Sequence, residues 1–206
     1  MFLKTYTCPS CGAPIEQKKP GSRMLGCTYC GQTSFVDADS LDAVGEKAPL
    51  IDYGSSFEIG KMGKWRDKEF MVLGRLRFSY EDGFWDEWYL NCFDDGSELW
   101  VQEDDGSFVM FYYEEELSYR MDYDTVKVGS KVKFNDKVHS VFVTSKSKAS
   151  LQGGEGELPF RVIPGSQADF IDGVMEGKVV SAEFLPSDNI IYVGQPVDLD
   201  ELKLRN

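Results

Sequence analysis

Three things are scarce in this 206-residue sequence: histidine, positive charge and long apolar runs. The one histidine, His139, shares strand parity with Lys137, Val141 and Val143. It has no Cys, Asp or His at a ligand or triad spacing, so nothing local supports catalysis led by a histidine base. Lys and Arg number 22 against 35 Asp and Glu, a net charge of −13. That balance opposes indiscriminate binding to nucleic acid or anionic lipid, which needs a positive field. No run of about 18 apolar residues is present to span a membrane. The opening Met1–Tyr6 is too short and too polar for a secretory signal. There is no phosphate-binding glycine loop and no EF-hand spacing of acids. Gly153-Gly154-Glu155-Gly156 lacks the Lys-Ser/Thr that would make it the former, and reads as a flexible turn.

Cysteine is sparse too, at five, but four of the five are organised. Cys8-Pro9-Ser10-Cys11-Gly12 and Cys27-Thr28-Tyr29-Cys30-Gly31 are two Cys-x-x-Cys-Gly knuckles. Each turn directs two thiolates to one centre, and the following glycine accepts a backbone conformation costly to other residues. Two such turns supply the tetrahedral four-sulfur set that Zn²⁺ prefers, and iron is chemically possible in the same set. The segment resembles a zinc ribbon with rubredoxin-like knuckles. A redox role for either pair would need a βαβ setting that neither has. Four protein ligands close the site, so the metal is expected to fold the segment rather than catalyse. Lys4, Lys18, Lys19 and Arg23 outweigh Glu16, but four thiolates and a Zn²⁺ bring the unit close to neutral, a feeble footprint for nucleic acid. Paired cysteines without further disulfide candidates point to a reducing compartment, most simply the cytoplasm.

Beyond the ribbon the pattern predicts a mostly β protein. We divide it into a zinc ribbon over 1–35, a linker over 36–49, a first β unit over 50–120 and a second over 121–206. The linker carries a predicted helical turn near Ser40–Val44 and ends at Pro49. Phe70–Tyr80 reads as a long strand, broken or bulged at Gly74. Glu81-Asp82-Gly83, Asp94-Asp95-Gly96-Ser97 and Asp104-Asp105-Gly106-Ser107 are three hairpin signals that organise an antiparallel meander from Phe78 to Tyr119. Val126-Lys127-Val128-Gly129 echoes Phe57-Glu58-Ile59-Gly60, which suggests a weak two-fold repeat at a spacing near seventy residues. An Asn135-Asp136 turn is expected in the second copy. Ser145–Gly156, rich in serine and glycine, reads as a loop or irregular hairpin and as the most mobile piece. The expected architecture is an antiparallel barrel or bent sheet, built of two related β units packed together.

The meander holds thirteen acids and no Lys or Arg, together with three of the four tryptophans. Six of those acids belong to the turns, where Asp is wanted for turn chemistry. The rest suggest an acidic, aromatic-rimmed face for a basic peptide or a cationic small molecule. Asp86 and Glu87 are strand neighbours and point to opposite faces, which argues against a catalytic pair. Trp85 and Trp88, three apart, cannot share a face of a regular strand, so one of them is expected at the surface. The candidate contact set is Trp85, Trp88, Trp100, Asp86 and Glu87. Cys92, among apolar residues and acids, is expected to be inert.

These motifs resemble a family. The ribbon, then Ile59-Gly60, Val72-Leu73-Gly74-Arg75, Trp85-Asp86-Glu87-Trp88-Tyr89-Leu90, Asp95-Gly96…Trp100-Val101 and Gly156-Glu157-Leu158-Pro159-Phe160 are together similar to the bacterial domain of unknown function 4178 (DUF4178), over roughly residues 50–195. Phe160 stands where that family often has Trp, and Val101 where Leu is usual. The resemblance implies a bacterial cytoplasmic protein linked to membrane or envelope stress, and carries over no catalytic residues. The favoured function is a non-enzymatic, zinc-containing protein-interaction or adaptor module whose partner has a basic surface or is membrane-associated, without membrane insertion of its own. The alternatives are an enzyme acting on a cationic small molecule at an acidic-aromatic pocket, and a nucleic-acid-associated factor acting through the ribbon.

Overall fold

A computed structural model describes residues 3–37, 40–43, 50–116, 122–134, 140–184 and 189–205. His139, Val44, Pro49 and the Asn135-Asp136 turn lie outside these residues. The N-terminal unit pairs β1 (Lys4–Thr7) with β2 (Pro14–Gln17), and β3 (Met24–Gly26) with β4 (Thr33–Asp37), which pairs in turn with β5 (Ser40–Ala43). β5 replaces the helical turn expected near Ser40–Val44. The free edge of β4 offers it a ladder, with Leu41 opposite Val36, and tertiary pairing outweighs weak local propensity.

The rest is one closed antiparallel barrel. A first meander runs through β6 (Met62–Trp65), β7 (Lys68–Tyr80), β8 (Gly83–Cys92), β9 (Glu98–Asp104) and β10 (Ser107–Glu116). A second runs through β11 (Lys131–Val132), β12 (Val141–Leu158), β13 (Gln167–Met175), β14 (Lys178–Phe184) and β15 (Asn189–Pro196). β10 pairs with β15 and β12 pairs with β7, so β7 to β10 and β12 to β15 close into an eight-stranded barrel. All three hairpin signals connect barrel strands. At the third, Asp105 and Gly106 both take positive φ (43° and 76°), as a two-residue hairpin with native twist requires. β7 is bulged between Val72 and Gly74.

The repeat is present in the backbone. The Gly60 amide donates to the Val72 carbonyl (2.8 Å) and the Val72 amide to that of Lys61 (2.9 Å). In the second meander the Gly129 amide donates to Val143 (2.9 Å) and the Val143 amide to Ser130 (2.9 Å). Gly60 and Gly129 share a left-handed φ of 91° and 84°. In both copies the incoming segment roofs an outer face. Phe57 and Trp65, with Val197 and Leu202, cover Phe70, Trp88, Leu90 and Met110, while Val126 and Phe134 cover Val141, Ile171, Val180 and Val193. A third apolar cluster, including Phe78, Trp85, Trp100 and Phe170, lies within the barrel.

The expected loop at Ser145–Gly156 is a correction: it forms the middle of β12, an 18-residue strand. β12 pairs with β13 along its first half, with β7 along its second, and with β3 at its end. Its small residues answer crowding. A Cβ on Gly156 (φ 74°) would strike the Leu73 carbonyl oxygen, and one on Gly154 would come within 3.0 Å of Met24 Cε. Serine and glycine here mark close approach of backbones rather than freedom.

The segment before β6 is pinned to the barrel wall. Arg77 forms a two-point ion pair with Asp86 (2.7 and 2.6 Å) and donates to the Ile51 carbonyl (2.8 Å), which Arg75 also reaches (3.1 Å). The Arg77 guanidinium lies against the rings of Tyr53 (4.9 Å) and Phe84 (4.3 Å), which also contact each other (4.8 Å). Both partners of the pair are buried, so breaking one side would strand a charge.

Gly156→Ala is expected to destabilise the chain by on the order of 3 kcal/mol, or to prevent closure, because it adds a steric clash to a left-handed φ. Gly165→Ala, also left-handed (φ 86°) but with open space around it, is expected to cost about 1 kcal/mol. Urea denaturation of the two variants separates strain from clash, and equal losses would refute the closure argument.

Candidate metal centre and barrel interior

Each knuckle is built the same way. The Cys8 amide donates to the Ala13 carbonyl (2.8 Å) and the Gly12 amide to that of Cys8 (3.0 Å). The Cys27 amide donates to Gln32 (2.9 Å) and the Gly31 amide to Cys27 (2.8 Å). Gly12 and Gly31 close the turns at φ 77° and 73°. The result brings all four sulfurs within 4.8 Å of one another, with Cys8–Cys30 and Cys11–Cys27 at 3.7 Å. Four ligands at about 2.3 Å from a tetrahedral ion lie about 3.8 Å apart, so the set fits a four-coordinate metal. The Gln32 amide beside Cys30 lowers its thiol, whereas Cys11 is raised among the same four sulfurs even though the Ala13 amide pulls it down. Cys8 and Cys27 are buried, while Cys11 is exposed.

The ribbon is locked to the barrel by one carboxylate. Glu157, buried at the end of β12, accepts from the amides of Lys18 (2.8 Å) and Lys19 (2.7 Å) and from the Ser22 hydroxyl (2.6 Å). Lys19 pairs with Glu98 on the barrel rim. The Gly-Glu-Leu-Pro-Phe stretch is therefore a junction: Gly156 permits the approach, Glu157 holds the ribbon, and Leu158 pairs with Met24. Phe160 stacks on Trp100 (5.8 Å, 17°).

The five candidate contact residues divide between the two sides of the barrel wall. Trp85, Glu87 and Trp100 point inward, whereas Asp86 and Trp88 point outward and are covered. Neither Trp85 nor Trp88 is at the surface, at 6% and 2% exposure, contrary to the expectation for one of them. The roof over the first meander explains this: Phe57 stacks on Trp88 at 5.5 Å, and Trp88 Nε1 donates to Glu103 (2.8 Å). Inside, Trp85 stacks on Phe78 (5.2 Å) and meets Phe170 edge-on (5.1 Å). Its Nε1 donates to Glu87 Oε1 (2.9 Å). The Trp-Asp-Glu-Trp motif thus alternates in and out across the wall. Cys92 is buried, and burial pushes its thiol up, as expected of an inert cysteine.

The interior is not filled. One cavity of about 190 Å³ is lined by Trp85, Glu87, Asp104, Asp172 and Ser181, among others. A second, of about 400 Å³, is lined by Leu76, Phe78, Leu151, Phe160, Ile163 and Glu183. Glu87, Trp100 and Tyr192 belong to both, so the two spaces meet at that layer. Burial drives the Glu87 carboxyl up to about 7 against the pull of the Trp85 hydrogen bond, and Asp172 and Asp86 add to the rise. Asp172 is raised in the same direction by burial, although Ser181 (2.7 Å) and Ser145 (2.9 Å) donate to it. Asp172, Glu183 and Tyr192 were not singled out from sequence. The available signal was a polar residue on the parity of Ala168 and Phe170, opposite Ile171.

The sequence profile of one family, Domain of unknown function (DUF4178), matches residues 58–199. No curated protein and no solved structure matches the chain.

The four-sulfur geometry predicts one bound metal ion per chain by native mass spectrometry, lost on Cys8→Ser or Cys27→Ser; retention by both variants would dismiss the centre. Linkage supplies a second outcome. Glu87 keeps its proton to about pH 7 when folded but loses it near 4.5 when unfolded, so stability falls as pH rises through that window. Glu87→Gln should remove this fall and stabilise the chain at pH 8 by on the order of 1–3 kcal/mol. An unchanged pH profile of urea midpoints would refute the assignment.

Proposed function

The chain belongs to the DUF4178 family, and from its geometry we propose that it is a non-enzymatic binding module whose barrel interior receives a small ligand while a zinc-bearing ribbon braces the rim. The observation that carries this reading is the unfilled interior. Eight strands enclose a space that side chains can fill or that can hold one small molecule. Here side chains leave cavities of about 190 and 400 Å³, the larger in the size range of small-molecule pockets. Apolar walls with a few convergent polar groups are what such a site requires.

A closed set of four thiolates leaves no open metal position, so a metal held there would contribute folding energy and rigidity. Zinc is the expected ion, with iron the alternative in the same ligand set. The ligand reading also accounts for the candidate contact residues: Trp85, Trp100 and Glu87 face the cavities, and a protein partner on an outer face would not touch them.

The test uses the uncharged fluorophore N-phenyl-1-naphthylamine with the full chain. Its fluorescence is expected to rise on binding, and Ala168→Phe, which fills the larger cavity from β13, is expected to abolish the rise while far-UV circular dichroism is unchanged. Equal dye binding by that variant would overturn the interior as the site.

A further inference from the structure

We propose that the ligand of this barrel is an amphipathic organic cation, its charged group held between Glu87 and Asp172 and its apolar portion lying toward Phe160 and Ile163. This rests on the interior being a ligand site, and assigns the chemistry that the site selects.

Glu87 is a carboxylate without a counter-ion among the described residues. It faces the barrel interior, half-buried, and Trp85 Nε1 gives its Oε1 a neutral donor. Oε2 makes no hydrogen bond or ion pair among the described residues, and the charges acting on Glu87 are those of Asp172 and Asp86. An inward-facing carboxylate with negative neighbours and no counter-ion is costly, and a bound cation removes that cost. Among the described residues, the smaller cavity carries Glu87, Asp104 and Asp172 and no Lys or Arg. Arg161 lines the larger cavity at its apolar end, where its guanidinium lies over the Phe35 ring at 4.9 Å.

Trp85, Trp100 and Tyr192 line the same space as Glu87, and aromatic faces attract cations that have lost water. An anion would meet Glu87, Asp104 and Asp172, which repel it. Leu76, Phe78, Leu151 and Ile163 line the larger cavity together with Glu87 and Glu183, whereas the smaller sets Glu87, Asp104 and Asp172 among aromatic and hydroxyl side chains. A molecule spanning both is therefore read by charge at one end and by apolar area at the other. Phe160 and Ile163, both exposed, stand at the apolar end and suit a tail that enters or leaves there.

The experiment titrates the full chain with three probes of one chain length: octyltrimethylammonium, octanol and octanoate, followed by tryptophan fluorescence, since Trp85 and Trp100 line the cavities. The cation is expected to bind about tenfold or more tighter than the alcohol, with octanoate weakest. Glu87→Gln keeps shape and removes the charge, and is expected to cost the cation about tenfold while leaving octanol unchanged. Comparable affinity for octanol or octanoate, or an indifferent Glu87→Gln, would overturn the cation assignment while leaving the interior site standing. If none of the three binds and the uncharged dye also fails, the interior site itself is refuted.

Discussion

Glu157 accepts two ribbon amides and a ribbon hydroxyl from the end of the strand that closes the barrel, and most of the molecule's organisation follows from that contact. A buried carboxylate stays ionised at low cost when donors surround it, and the Lys18–Ser22 turn supplies three. That turn leads into β3, which pairs with β12 at Glu157 and Leu158. β12 in turn joins β7 to β13. The four-cysteine cluster, the N-terminal unit and the barrel are thus tied through one strand, and the glycines on it permit the backbones to approach closely enough for the tie to form.

A contrast between carboxylates separates structure from site. Asp86 is buried against Arg77, and Glu157 is buried among donors; each is satisfied by its own chain. Glu87 has one neutral donor and negative neighbours. Protein interiors place unpaired charge where something else will pair it, or hold it neutral at a cost in pH-dependent stability. The pattern of satisfaction, rather than the number of acids, singles out the barrel interior.

How the internal repeat works is visible in its roofs. Each meander presents an apolar outer face and would be unstable alone. In both copies a segment ending in a left-handed glycine, Gly60 or Gly129, returns over that face through matching hydrogen bonds. The second copy varies in its side chains, with Val126 where the first has Phe57, yet the backbone solution is shared. This explains why the likeness is weak in residues and clear in geometry.

Local chemistry made much of this legible from sequence. The two knuckles are set by Cys and Gly spacing, the second and third hairpins by Asp-Gly turns whose glycines take left-handed φ, and the irregularity in β7 by Gly74. At the first hairpin Glu81 and Asp82 make the turn, and Gly83 already pairs with Tyr80. Alternation along Trp85-Asp86-Glu87-Trp88 correctly divided inward from outward residues. Which side was inside, and whether the other side was also covered, depended on strands far away in the chain. Trp88 is buried because Phe57 folds back over it, and Ser145–Gly156 is a strand because β7 and β13 flank it; neither partner is local. The meeting of Glu87 with Asp172 and Tyr192 arises from barrel closure, a long-range pairing that no window of sequence encodes. Local backbone preferences were therefore readable residue by residue, and the site was decided by which distant strands the closed sheet brought face to face.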